Sequence, residues 1–412
     1  MRNVSVQKDP AHTRWERIQR DIIPPMRSVP LVALSVLVVG TTLQSPACDD
    51  NPQNPAPVVT PSPGSDSQNP VFTTQDGVRV RAETIVNTLE VPWSLVFAPD
   101  GRLFVTERPG RVRIIDLASR TSELALTLDD VFAEGEAGLL GLALDPSFSS
   151  NRLVYLYYSA RIASGAVNRV VRYREAGDRL AERVVLLDDI PANTIHDGGR
   201  LRFGPDGLLY ITAGDAANEQ LAQDVTALAG KILRINPDGT TPRGNPFSSP
   251  VFSYGHRNPQ GIDWSPTTGA LWESEHGATG NDEINVIDAG VNYGWPLIEG
   301  NQTLPGMREP ITFYTPAIAP SGASFYRGQR FAQFAGNLFV GTLRGTHLLR
   351  LRLDAPSRQI VGQERLLDGQ FGRIRDVISG PDGYLYFCTN NRDGRGTPVS
   401  GDDRIVRLVP AS

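Results

Sequence analysis

Five short segments concentrate side chains able to move a proton or hold an ion. His196 stands in NTIHDGGRL (193–201), where paired glycines let the backbone pass close to another group. An imidazole can change protonation state near neutral pH, as a general base requires. A glycine turn carrying a solvent-facing histidine is the plainer alternative. GHRNPQG (255–261) puts Arg257 beside the amides Asn258 and Gln260, and a guanidinium offers a fixed fork of donors to a carboxylate. An ion-paired loop would not need both amides. EHGATGNDE (275–283) is an oxygen-rich turn with two glycines, suited to converging backbone carbonyls on a hard cation such as calcium. It lacks helix–loop–helix spacing, so an acidic hairpin fits it equally. The last group is basic: Arg344 in TLRG (342–345), then Arg373 and Arg375 in GRIRD (372–376). In extended backbone Arg373 and Arg375 point to one side, so they form either a site for a small polyanion or a structural ion-paired cluster.

These segments need a scaffold, and the chain supplies a repeat. LFVTE (103–107), LVYLYY (153–158), LLYITA (208–213), ALWES (270–274), NLFVGT (337–342) and YLYFCT (384–389) recur about every 45–70 residues. Each is followed by a second strand-like run: RVRIID (111–116), NRVVRY (168–173), KILRIN (231–236), EINVID (283–288), HLLRLRL (347–353) and DRIVRL (403–408). Pro-Asp-Gly turns at 99–101, 205–207 and 381–383, with an expanded version at 266–269, open four of them. A strand-only unit of this size predicts an all-β radial array, a six-bladed β-propeller. Its long insertions gather at one mouth of a central channel, which is where the five segments belong. Ring closure is expected from VRVRAETI (78–85) pairing beside 404–408, because an open array would leave edges exposed.

The chain has 412 residues and a net charge of −5, which argues against a nucleic-acid surface. Residues 1–48 read as a leader. Translation from Met26 would put Arg27 before an apolar run at 29–40 that is too short to span a bilayer. Cys48, after Ser45-Pro46-Ala47, is a candidate lipid-attachment site, with Ser45 where an aliphatic residue would be usual. Export to the periplasm or a membrane surface follows. Residues 49–70 are a Pro-rich tether, and 71–412 form the propeller. Cys388 sits in a strand pattern and reads as a small buried hydrophobe, so no structural disulfide is expected.

The motifs IHDGGRL (195–201), GHRNPQG (255–261), SEHGATGNDEIN (274–285), GVNYGWP (290–296), TLRG (342–345) and GRIRDVISGPDG (372–383) resemble those of the soluble dehydrogenases of glucose and aldose sugars that use pyrroloquinoline quinone (PQQ). The resemblance implies a six-bladed propeller that oxidises a sugar C1 hydroxyl by hydride transfer to the quinone. His196 then matches the base, and Arg257 with Asn258 matches the pair on the reacting quinone oxygen. Arg344, Arg373 and Arg375 match the residues that bind PQQ, with Arg344 where a lysine is usual. The carbonyls of Gly277 and Ala278 match calcium ligands, and Asp282 lies near the substrate, as does Gln260. Ile195 replaces an acidic neighbour of the base, and His276 and Ala278 replace Gln and Pro, which implies broad sugar selectivity. Glu299 lies in the region of the family's second calcium. The implied partners are an aldose and a periplasmic or membrane electron acceptor; monomer and homodimer both remain open. A calcium-dependent lactone hydrolase and a non-enzymatic sugar- or protein-binding propeller are the two other functions this scaffold carries.

Overall fold

The computed structural model describes residues 69–354 and 358–411. The leader, Met26, Cys48 and nearly all of the tether lie outside the described residues. Six antiparallel sheets follow one another, five of four strands and one of five. Their first strands are Pro92–Phe97, Leu139–Leu144, Leu201–Phe203, Pro259–Trp264, Pro320–Phe325 and Ile374–Ser379. The six blades pack in sequence around the axis, the third meeting the fourth through Leu209–Ala213 against Pro259–Trp264, and the last first strand returns to the first. The fold is a six-bladed β-propeller, as expected.

The repeated apolar runs are the second and third strands of each blade, not the first and second. Leu103–Glu107, Leu209–Ala213, Leu271–Glu275, Leu338–Thr342 and Leu385–Thr389 are buried at all five positions. They are buried on both faces because neighbouring blades cover both. The hairpin in the second blade is longer than its apolar run, spanning Leu153–Ile162 and Gly165–Ala176. The Pro-Asp-Gly turns join first strand to second. In three of them the Asp side chain accepts the N–H two residues on, at 3.1 Å (Asp100 to Arg102), 3.1 Å (Asp206 to Leu208) and 3.2 Å (Asp382 to Tyr384).

Closure happens where it was expected. Arg79–Val86 pairs antiparallel with Ile405–Pro410, with Ala82 opposite Leu408, so the last blade is completed by the chain's early strand. Val71–Thr73 adds beyond it. Cys388 is buried and free, packed with Leu95, Leu103 and Ile405 between the last blade and the first. No described helix is long and apolar enough to cross a membrane.

The six first strands define two different mouths. The segments that precede them carry Glu136, His196, Asn258 and Arg373. The turns that follow them, such as 99–101 and 205–207, lie at the other end.

Candidate functional site

His196 enters the first mouth on a strained bend. Its φ is 62°, in the left-handed region that an L-residue seldom adopts. Gly214 makes the bend possible, because a Cβ there would lie well inside van der Waals distance of the His196 carbonyl oxygen. The next residue, Asp215, presents Oδ1 to His196 Nδ1 at 2.8 Å, and Oδ1 also accepts the Ala217 N–H at 2.9 Å. Its Oδ2 accepts the indole N–H of Trp295 at 2.9 Å. Asp215 is 1% exposed and His196 8%. The loop after Asp215 is pinned from below by Lys231, whose ammonium donates to the carbonyls of Leu221, Ala222 and Ala229. Burial pushes that amine down to about 8.

From His196 a belt of hydrogen bonds runs around the channel through four more blade segments. Glu136 Oε2 accepts the His196 backbone N–H (3.0 Å) and the Asn258 amide N–H (3.3 Å), while Oε1 accepts from Arg395 (2.7 Å). Burial alone would raise the Glu136 carboxyl, but Arg395, His276 and His196 outweigh it and hold it at about 2. Asn258 Oδ1 accepts from Gly198 N–H (3.1 Å) and from Gln260 Nε2 (3.0 Å). Gln260 Oε1 accepts from Arg375 Nη1 (3.0 Å), which also reaches Ser321 Oγ (3.3 Å).

Arg375 lies on the bulge between Ile374 and Asp376 and is 8% exposed. The neighbours that accept from it are neutral. With the Asn390 amide oriented to satisfy both sides, its oxygen accepts from Arg375 Nε (3.2 Å) and its nitrogen donates to Asp393 (2.6 Å). Burial, only partly offset by Asp393, drags the Arg375 guanidinium down to about 9. A buried cation held by neutral acceptors is an anion site in waiting.

Arg257 closes the mouth on another side. Its Nη1 donates to the Gly277 carbonyl at 2.7 Å, and its guanidinium lies 5.3 Å from the Trp295 ring. Its backbone N–H donates to Glu275, which also holds His256 Nδ1 at 2.9 Å. His256 stacks on Tyr293 and is a supporting residue, fully buried.

The structure thus brings together His196, Arg257, Asn258, Gln260, Arg375 and the Gly277 turn. Three expected residues stand differently. Asp282 is engaged by backbone: its carboxylate accepts the N–H groups of Gly277 (2.9 Å), Ile318 (2.6 Å) and Ala319 (2.7 Å), and so shapes the turn. Arg373 is engaged by Asp393 through Nε (2.9 Å) and Nη2 (2.8 Å). Arg344 is exposed on the adjacent loop, its N–H donating to Ile318 O at 3.1 Å. Asp215, Glu136 and Trp295 were missed. Asp215 does carry a signal, a carboxylate directly after a glycine at a strand end; Glu136 has none.

The donor set suits a polycarboxylate, with the buried Arg375, offset only in part by Asp393, and amide groups around it. It does not by itself suit a calcium ion. Gly277 and Ala278 offer neutral carbonyls, the first already takes a guanidinium, and the adjacent carboxylate of Asp282 is occupied by backbone donors. A hard cation takes six to eight oxygens, carboxylates prominent among them. Completion of a site here needs oxygens from a ligand.

Comparison with known proteins agrees with the fold and the motifs. Residues 89–403 match the family model described as glucose/sorbosone dehydrogenase. The aldose sugar dehydrogenase YliI of Escherichia coli (strain K12) is 34% identical over 346 residues, covering 78% of this chain and 93% of that protein. Quinoprotein glucose dehydrogenase B of Acinetobacter calcoaceticus is 27% identical over 421 residues, covering 79% of this chain and 87% of that protein. Among solved structures, the PQQ-bound form of an aldose sugar dehydrogenase from Streptomyces coelicolor superposes with a TM-score of 0.73. It is 35% identical and covers 83% of this chain and 98% of that one.

Proposed function

This chain belongs to the glucose/sorbosone dehydrogenase family, and we propose that it oxidises the C1 hydroxyl of an aldose to the lactone with PQQ as its cofactor. The observation that carries this is one hydrogen-bonded belt holding both a carboxylate-oriented imidazole and a buried cation without a contacting carboxylate. PQQ, when bound, supplies the two-electron acceptor for the hydride that leaves C1.

The chain's own residues do the rest. His196 Nδ1 is engaged by Asp215, so Nε2 is the nitrogen that takes the C1 hydroxyl proton. The Asp215 carboxylate then stabilises the imidazolium, and Trp295 keeps that carboxylate in place. Glu136, ionised throughout the neutral range, ties the His196 backbone to the Asn258 amide, so base and amide keep one spacing. Arg257 and Asn258 would hold the reacting oxygen of the cofactor. Because Arg373 is paired and Arg344 exposed, the buried counter-charge for a cofactor carboxylate is Arg375. Gln260 serves by orienting Arg375. Calcium belongs to the Gly277–Ala278 turn only as a partner of bound cofactor. Broad sugar selectivity, export, and electron delivery to a periplasmic or membrane acceptor complete the reading.

Titrating the apo-protein with PQQ, with and without calcium, and then assaying dye reduction on a panel of aldoses tests it. Saturable PQQ binding and aldose-dependent reduction are expected, with His196→Ala binding PQQ but not turning over. Lactone cleavage without PQQ, or no quinone affinity at all, would sink the proposal.

A further inference from the structure

The second mouth of the channel has a chemistry of its own. A buried layer crosses the channel beneath the belt. Arg200 packs 4.2 Å and Arg375 5.6 Å from the Trp93 ring, and Arg200 pairs with Asp376 at 2.9 Å. Arg200 Nε donates to the Gln260 carbonyl at 3.0 Å, so this layer backs the cofactor side directly. On its other side, among the ends of the first strands, lies a cavity of about 660 Å³.

Its walls are apolar: Leu95, Val96, Leu142, Leu144, Phe203 and Trp264. Its charged groups are Arg200, Arg202 and Arg327 against Asp263 and Asp376, three positive and two negative, a net of one positive charge. Both carboxylates are engaged. Asp376 accepts from Arg200 and from the N–H groups of Leu95 (2.8 Å) and Val377 (3.0 Å). Asp263 accepts from Arg327 (2.7 and 2.9 Å) and from Phe325 N–H (2.7 Å). What remains is donor capacity. Arg200 Nη2 and Arg202 Nε are buried with no hydrogen-bond partner, and Arg200 is 1% exposed. The two arginines are two positions apart on one strand edge, which puts both forks on the same side.

We propose that this cavity is a second binding site, for an apolar monocarboxylate such as an aryl- or alkyl-substituted acid. The carboxylate accepts from Arg200 and Arg202 and neutralises the excess charge. The hydrocarbon part lies against Trp264 and the aliphatic walls. A sugar does not suit this site, since its hydroxyls would each need a polar partner and the walls offer few.

Calorimetric titration of the full chain with 4-phenylbutyrate and with its uncharged amide tests the proposal, using Trp264 fluorescence as the second readout. The acid should bind saturably and at least about tenfold tighter than the amide, the effect of a charge-assisted hydrogen bond. Arg202→Gln should bring the acid to the amide's affinity. Leu144→Trp, which fills the cavity from its rim, should remove binding of both. Binding should persist when PQQ is present. Equal affinity of acid and amide, indifference to Arg202→Gln, displacement by PQQ, or no saturation below about 10 mM (a water-filled funnel only) would each overturn it.

Discussion

Asp215→Asn is the sharpest test of the proposed proton transfer. Asp215 Oδ1 lies 2.8 Å from His196 Nδ1, and both its oxygens are used, by His196 and Ala217 on one side and Trp295 on the other. An asparagine cannot satisfy this arrangement. With its oxygen toward His196, its NH₂ meets the Trp295 N–H donor. With its NH₂ toward His196, the imidazole must carry its proton on Nε2 and loses the lone pair that would accept the substrate proton. Either way the negative charge beside the imidazolium is gone. A charge about 4 Å away contributes about 4 kcal/mol at an effective dielectric of 20. Allowing half for residual solvation, the loss is about 2–4 kcal/mol, or about 30- to 1,000-fold in kcat. The assay is steady-state dye reduction by PQQ-loaded enzyme, with PQQ affinity measured separately. A kcat within about threefold of wild type would refute the role given to Asp215.

Three further outcomes follow from the same geometry. Gly214→Ala places a Cβ against the His196 carbonyl and 3.1 Å from Asn258 Oδ1, so kcat should fall at least about tenfold while the far blades keep their stability; wild-type turnover would show that the bend tolerates the methyl. Arg375→Met removes a buried cation held by neutral acceptors, so the apo-protein should melt no lower than wild type, while PQQ Kd rises about 100-fold or more; an unchanged Kd would remove Arg375 from the cofactor site. Burial lifts Asp197 from 3.8 to about 7, so the folded state holds a proton that the unfolded chain releases, and stability falls as pH rises from about 4 to 7. Those roughly three units correspond to at most about 4 kcal/mol. Asn at 197 keeps the acceptor used by Asn168 and Asn193, so Asp197→Asn should gain on wild type across that window, and melting curves in which the gain does not grow with pH would contradict the assignment.

The propeller was legible because its middle strands are buried on both faces. A stretch such as LVYLYY or LLYITA has no solvent side, and the turn chemistry that opens four such strands is specific. The innermost strands were not legible as strands. PQGIDW and PSGASF line a polar channel, so they carry no apolar run, and bulges interrupt their pairing between Pro259 and Gly261 and between Pro320 and Ala323. Those bulges turn Gln260 and Ser321 toward Arg375. The feature that hid these strands from a periodicity argument is the one that equips them for the site.

The site was legible residue by residue but not as an arrangement. The contacts that carry the belt from blade to blade join residues far apart in the chain: 60 positions for Glu136 to His196, 60 for Gly198 to Asn258, 115 for Gln260 to Arg375. A motif shows which side chains are available; only closure of the wheel decides which of them meet. Arg373 and Arg375 show the difference. By spacing they are equivalent forks on one strand, yet Asp393 takes the first and leaves the second among amides. The two therefore differ in what they can do. A paired arginine offers an incoming anion only an exchange of partners, whereas a buried one without a contacting carboxylate gains a counter-charge it lacked. If cofactor binding is driven by that gain, removal of Arg375 must cost far more affinity than removal of Arg373, although the sequence gives no reason to rank them.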